Sequence, residues 1–211
     1  MTDSKDGEDA KLTLKAPRKL ELKKTVGSGQ VRQSFSRGRT KPVTVKGLTG
    51  AKAVSAGLNH TCAIKSDQSL WCWGLNGFGQ QAQGNRTHWG PDTEPIQVGD
   101  GTNWETVVSG RDHSCATDSN NSLWCWGLHD KGQVGIGESE DSWAGDDYVD
   151  TLTEVNSDLP WLQVSAMGRN TCGIKSDYTL WCWGLGYFYQ TGPSGEDQNT
   201  PTKINEDEDW S

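Results

Sequence analysis

Along residues 47–211 the apolar positions come in short bursts rather than in long helical stripes. Around Val54, across His60–Lys65, across Ser69–Trp73 and around Ile96–Val98, runs of apolar or alternating residues are broken by Gly, Asn, Asp and Pro clusters. Bursts bounded this way read as strands. The pattern then recurs. AGLNHTCAIKSDQSLWCWGLNGFGQ from Ala56, SGRDHSCATDSNNSLWCWGLHDKGQ from Ser109 and AMGRNTCGIKSDYTLWCWGLGYFYQ from Ala166 align, with offsets of 53 and 57 residues from Cys62 to Cys115 to Cys172. A period of that length is that of a propeller blade or solenoid unit. Four strands per period make one four-stranded blade, and a blade cannot bury both its faces alone, so blades must stack.

The expected fold is therefore all-β: a partial β-propeller of three four-stranded blades, at about 47–99, 100–156 and 157–211, behind a flexible basic arm over 1–46. Two further motifs hold the register. Pro-x-x-Val/Ile occurs at Pro42–Val45, Pro95–Val98 and Pro201–Ile204, and Trp104, Trp161 and Trp210 each mark the approach to a repeat. Composition agrees, because 11 Trp and 26 Gly against 2 Met and 3 Phe suit half-buried strands and turns better than helices.

Charge divides the chain. Residues 1–46 carry 12 Lys and Arg against 5 Asp and Glu, a balance of +7, while residues 47–211 carry 8 against 23, a balance of −15. The arm suits phosphates or another anionic surface, and the body is repelled from them at low salt. No run is long and apolar enough for a membrane helix, so no membrane is expected as a partner. The first residues, MTDSKDGEDAKLTL, carry no apolar stretch of the secretory kind, which points to a cytoplasmic chain.

All six cysteines fall as C-x9-C: Cys62 with Cys72, Cys115 with Cys125, Cys172 with Cys182. A three-residue loop centred on Asp67 places Cys62 opposite Cys72 on adjacent strands, and the other copies follow. Cross-strand disulfides are expected, in keeping with an exported parent propeller. Paired reduced thiols are the competing state, and a reducing cytosol favours them. Zinc is not expected: His60, Cys62 and Cys72 offer three ligands, but Asn170 replaces the histidine in the third copy, and structural zinc takes four ligands. No cofactor is implied. Trp71 and Trp73 flank Cys72 on the opposite face and read as packing between blades, and His60 and His113 as residues bonding backbone within their own blade.

The repeats resemble the regulator-of-chromosome-condensation family through Gly57, His60, Cys62, Trp73, Gly74, Asn76, Gly79 and Gln80 in the first copy. In the second the matching residues are Gly110, His113, Cys115, Trp126, Gly127, Gly132, Gln133, Gly135 and Gly137. The third departs at Asn170 and Tyr189. The resemblance implies a seven-bladed ring, of which three blades are here. The ends read as cuts from a longer propeller, Pro42–Val45 resembling the last strand of a blade whose other strands are missing, with self-association to complete a ring, or an open stack, as alternatives. It also implies a non-enzymatic protein-binding module, with guanine-nucleotide exchange an expectation by family analogy alone.

Residues 11–45 resemble the amino-terminal segment of bacterial translation initiation factor 2, through LTLKAPRKLELKKTV, VRQSFSRGR and TKPVTV. That implies a ribosome or RNA partner met by Arg18, Lys19, Lys23, Lys24, Arg32, Arg37 and Arg39. No phosphate-binding G-x4-G-K-[ST] loop is present, so GTP hydrolysis is not implied. TKPVTV serves both resemblances, and a recombination or assembly joint near Val45 is one reading of that. No catalytic constellation repeats or converges, so an enzyme is not expected. A protein partner is expected instead at the variable stretches Gln81–Pro91, Glu138–Tyr148 and Gly192–Asn199. In the second, Asp141, Asp146 and Asp147 surround Trp143, an aromatic anchor candidate, although a merely solvated acidic loop fits the same residues.

Overall fold

The structure, a computed structural model, describes residues 44–137 and 147–204. Among them are twelve strands and no helix. The first blade comprises β1 (Ala51–Ala56), β2 (His60–Lys65), β3 (Leu70–Asn76) and β4 (Thr87–Gln97). The second comprises β5 (Trp104–Ser109), β6 (His113–Asp118), β7 (Leu123–Leu128) and β8 (Tyr148–Glu154). The third comprises β9 (Trp161–Met167), β10 (Asn170–Lys175), β11 (Leu180–Gly184) and β12 (Gln198–Lys203). Each set is an antiparallel meander in chain order, so the chain is a partial propeller of three four-stranded blades.

The central hairpins explain the register. Lys65 N–H donates to the Ser69 carbonyl and Gln68 N–H to the Lys65 carbonyl, and the same pair of bonds closes the turns at Asp118–Ser122 and Lys175–Thr179. The last loop residue lies in the left-handed region each time: Gln68 at φ 62°, Asn121 at 60° and Tyr178 at 66°. A turn followed by one left-handed residue is a standard three-residue hairpin. It sets Cys62 opposite Cys72, Cys115 opposite Cys125 and Cys172 opposite Cys182. All three pairs are disulfides with Cα atoms 4.1 Å apart, the separation expected of a directly opposed cross-strand pair. Among the described residues no cysteine is free.

Asp67 and Asp177 tie the turns of blades 1 and 3. Each accepts from the backbone N–H and the hydroxyl two residues on, Ser69 or Thr179, and that hydroxyl in turn accepts the indole N–H of Trp71 or Trp181. The Ser69 and Thr179 hydrogen bonds hold both carboxyls below the ordinary carboxylate value, Asp67 at about 2.

The strand after each second cysteine is bulged. Pairing shifts register between Cys72 and Gly74, Cys125 and Gly127, Cys182 and Gly184, and the glycines take φ of 108°, 105° and 99°. A Cβ on Gly74 would stand 2.5 Å from the Asn59 carbonyl oxygen. The bulge bends the strand at the second tryptophan of LWCWG. Trp73, Trp126 and Trp183 are buried, whereas Trp71, Trp124 and Trp181 are half-buried, so one tryptophan of each pair fills the interior and the other faces the rim.

Two cores lie between blades. Cys62, Ile64, Leu70, Cys72 and Val98 of blade 1 pack with Trp104, Val107, Ala116 and Trp126 of blade 2. Cys115, Leu123, Cys125 and Val155 of blade 2 pack with Trp161 and Trp183 of blade 3. The cystines of blades 1 and 2 thus face the following blade, and the bulge tryptophans of blades 2 and 3 face the preceding one.

Two sequence expectations change. Val45 lies outside any strand; a turn returns Leu48 N–H to its carbonyl, and it packs with Leu48, Ala63 and Trp73 over the other face of blade 1. The stretch Gln81–Pro91 is partly strand, since β4 begins at Thr87. Residues 1–43, with the basic positions proposed to meet RNA and the expected disorder, lie outside the described residues.

Candidate interaction surface

The seams between blades are built from a few repeated residues. Gln80, Gln133 and Gln190 fold back so that Oε1 accepts the backbone N–H two residues earlier, at 2.8, 2.8 and 2.7 Å. This fixes the loop and aims the glutamine's own carbonyl outward. The Gln80 carbonyl accepts Trp126 Nε1–H at 2.8 Å, and the Gln133 carbonyl accepts Trp183 Nε1–H at 3.1 Å. A buried indole N–H is thereby satisfied by the neighbouring blade. The preceding glycine permits the approach. Gly79 and Gly132 have φ of 75° and 77°, and a Cβ would lie 2.5 Å from Asp150 Cα or 2.4 Å from the Gln198 oxygen, both on the outer strand of the next blade.

The histidines form a second seam contact. His60 Nε2 lies 2.8 Å from Ser114 Oγ, and His113 Nε2 lies 2.9 Å from Thr171 Oγ1. Thr171 spends its one proton on the Gln133 carbonyl at 2.9 Å, so His113 must donate from Nε2. Burial pushes the His60 imidazole down to about 4, and burial with the nearby His60 and His129 pushes His113 down to about 3. Both are neutral near pH 7 and bridge blades, so the expectation that they bond backbone within their own blade is wrong. The partner is the hydroxyl residue before each first cysteine of the following blade. Its offset is 54 in one case and 58 in the other because repeat length varies, so a search for a partner at fixed spacing misses it. The shared [Ser/Thr]-Cys dipeptide was the available signal. With His60 on Ser114 and both cysteines oxidised, His60, Cys62 and Cys72 do not form a metal site.

Gly57 and Gly110 complete this contact, because a Cβ there would lie 2.3 or 2.2 Å from the imidazole Cε1. The third blade changes both partners together: Met167 replaces the glycine, and Asn170 replaces the histidine and bonds the Leu185 carbonyl of its own blade. Tyr189 stands where Gly79 and Gly132 admit the next blade. Met167, Tyr187, Phe188 and Tyr189 are all exposed.

On the outside, blades 2 and 3 leave a groove of about 540 Å³ lined by Ile136, Glu154, Asp158, Lys175, Trp181 and Pro201, among others. Lys175 Nζ sits 3.8 Å from the Trp181 ring centroid and 2.9 Å from Asp158 Oδ1, and that bond holds the Asp158 carboxyl below its ordinary value. Aromatic and aliphatic surface within a polar rim is the anatomy of many protein-binding grooves. Of the residues expected in the second variable stretch, Asp147 is half-buried and its carbonyl accepts His129 N–H, a structural role for its backbone. Asp141, Trp143 and Asp146 lie outside the described residues.

Comparison with known proteins places these features. Residues 51–80 and 104–133 match the regulator of chromosome condensation (RCC1) repeat. The ultraviolet-B receptor UVR8 of Arabidopsis thaliana is 29% identical over 154 residues, 72% of this chain and 34% of that protein. The crystal structure of Prp20p from Saccharomyces cerevisiae superposes with a TM-score of 0.69 at 26% identity, covering 81% of this chain and 40% of that one. The chain thus spans about a third of the length of UVR8. A match of another kind is translation initiation factor IF-2 of Paramagnetospirillum magneticum, 57% identical over 58 residues, 27% of this chain and 7% of that protein.

Proposed function

We propose that the three blades are a non-enzymatic protein-binding module whose partner presents a basic surface. The observation that carries this is the groove lined by Trp181, Glu154 and Asp158 on a scaffold immobilised by three disulfides and by hydrogen bonds across both seams. The net charge of −15 over residues 47–211 favours the same partner class. Prp20p of Saccharomyces cerevisiae binds Gsp1p and histones, which supports a protein partner by likeness. In this reading residues 1–46 are a separate arm, and the blades occupy 47–99, 100–156 and 157–211. The test is binding of core histones and of Gsp1p to the full chain by interferometry. Salt-sensitive histone binding, weakened by Glu154→Lys with Asp158→Lys, is expected; no binding to either protein, or histone binding indifferent to both changes, contradicts the proposal.

The initiation-factor likeness favours a second reading, in which the arm meets ribosome or RNA. It predicts salt-sensitive co-sedimentation with ribosomes that disappears on deleting residues 1–46. Co-sedimentation unchanged by that deletion would remove it.

A further inference from the structure

The outer strands β4, β8 and β12 each end their sheet, so each has one edge that no strand of its blade pairs with. Val98, Val155 and Ile204 donate their backbone N–H inward, to the carbonyls of Leu70, Leu123 and Leu180. Three residues before them stand Pro95, Leu152 and Pro201. In an antiparallel ladder alternate residues turn their N–H inward and outward, so an odd step back reaches a residue whose N–H points away from the sheet. Proline is tolerated there, because it lacks only the outward donor. Blade 2 has Leu152 and keeps that donor. The nearby acceptor differs too. On blade 1, Gln83 Nε2 donates to the Gln97 carbonyl at 2.9 Å and covers the edge two residues beyond Pro95. The matching residues of blade 2 are Ile136 and Glu154, and isoleucine has no donor to offer the Glu154 carbonyl. The edge from Leu152 to Glu154 therefore lacks both of the devices that blunt it on blade 1, and it lies past the bulge where pairing with β7 is regular, Thr153 opposite Cys125 and Glu154 opposite Trp124.

This edge opens on the groove described above, whose lining includes Ile136, Thr153 and Glu154. The charge presented there is negative. The Asp158 side chain is 81% exposed, whereas that of Lys175 is 6% exposed and bound to Asp158. We propose that the β8 edge takes up an extended, basic segment of the partner as an added strand, with main-chain hydrogen bonds to Leu152 and Glu154 and with Lys or Arg side chains toward Glu154 and Asp158. The proposal rests on the reading of the blades as a protein-binding module and states how the partner is held. A second copy of the chain is the poorer occupant: β8 paired with β8 about Leu152 sets Asp150 opposite Glu154 at both ends, like charges directly opposed.

The probe is the peptide acetyl-Lys-Thr-Val-Lys-Val-Thr-Lys-amide, added to the ¹⁵N-labelled full chain, with light scattering for mass. Saturable shifts at the Leu152 and Glu154 amides are expected, with exchange of the Leu152 amide slowed at least about tenfold at saturation. Leu152→Pro, which copies blades 1 and 3 and leaves Glu154 and Asp158 in place, should abolish binding. Should that variant not fold, the wild type carries the test with a peptide N-methylated at its central Lys and the following Val, which removes a donor from each peptide edge and should prevent binding. Absence of peptide binding, or equal binding by Leu152→Pro or of the N-methylated peptide, overturns strand addition, as does a dimer that Leu152→Pro dissociates. Histone binding that is weakened by the Glu154→Lys and Asp158→Lys pair but unchanged in Leu152→Pro leaves the groove reading standing while strand addition falls.

Discussion

Acidification should weaken this protein well before its carboxylates protonate, through the two seam histidines. In the folded chain burial holds His60 at about 4 and His113 at about 3, against an ordinary value of 6.5. The unfolded chain therefore binds more protons below pH 6.5, and stability falls with pH through that window until the folded values are reached. Between about pH 6.5 and pH 4.5 each histidine contributes a loss of about 2.5 kcal/mol, or about 5 kcal/mol for the pair. Asp112, whose carboxyl burial raises, acts in the opposite sense as pH falls, and Asp67, Asp158 and Asp177, held low by hydrogen bonds, act only below their ordinary 3.8. A double variant isolates the histidine share. His60→Asn with His113→Asn copies the residue that blade 3 uses, and a Gln pair serves if the Asn pair does not fold. Urea unfolding at several pH values should show the wild type losing about 5 kcal/mol more than the variant across the window. Parallel pH profiles for the two would show that the histidines do not titrate differently on folding, and the seam geometry would be wrong.

Gly110→Ala should displace the His113 ring, because the new Cβ would lie 2.2 Å from Cε1, and lower stability by about 2 to 4 kcal/mol in urea melts. Removing the fully buried Cys115–Cys125 bridge as a double Ala variant should cost about 2 to 3 kcal/mol for so short a loop, read as a lower Tm. Tyr178→Gly should act in the other direction: the side chain is 84% exposed and φ is 66°, so relief of left-handed strain should raise stability by about 1 kcal/mol.

Much of the blade was readable because the repeat supplies three instances of each turn. The hairpin centred on Asp67 followed from C-x9-C and the placement of turn residues, and it set the cysteine pairing correctly. What alternation alone could not show was the bulge after Cys72, which re-aims Trp73 into the interior and leaves Trp71 at the rim. The seam was less legible, since its contacts join residues of different blades through repeat lengths that vary. The glutamine carbonyl that receives the next blade's tryptophan carries no side-chain signature. The paired change of Gly and His to Met167 and Asn170 became intelligible only when Gly110 was seen beneath the His113 ring. Neither variable loop composition nor net charge could locate the groove at Trp181, because its walls come from two blades.

The most direct measurement of the central claim, that successive blades are joined by tryptophan and glutamine seams, is indole N–H exchange at Trp126 and Trp183 in the ¹⁵N-labelled chain. The structure predicts that both resist exchange until the chain unfolds, while the rim indole of Trp124 exchanges readily. Fast exchange at Trp126 and Trp183 would mean the blades are not packed as described.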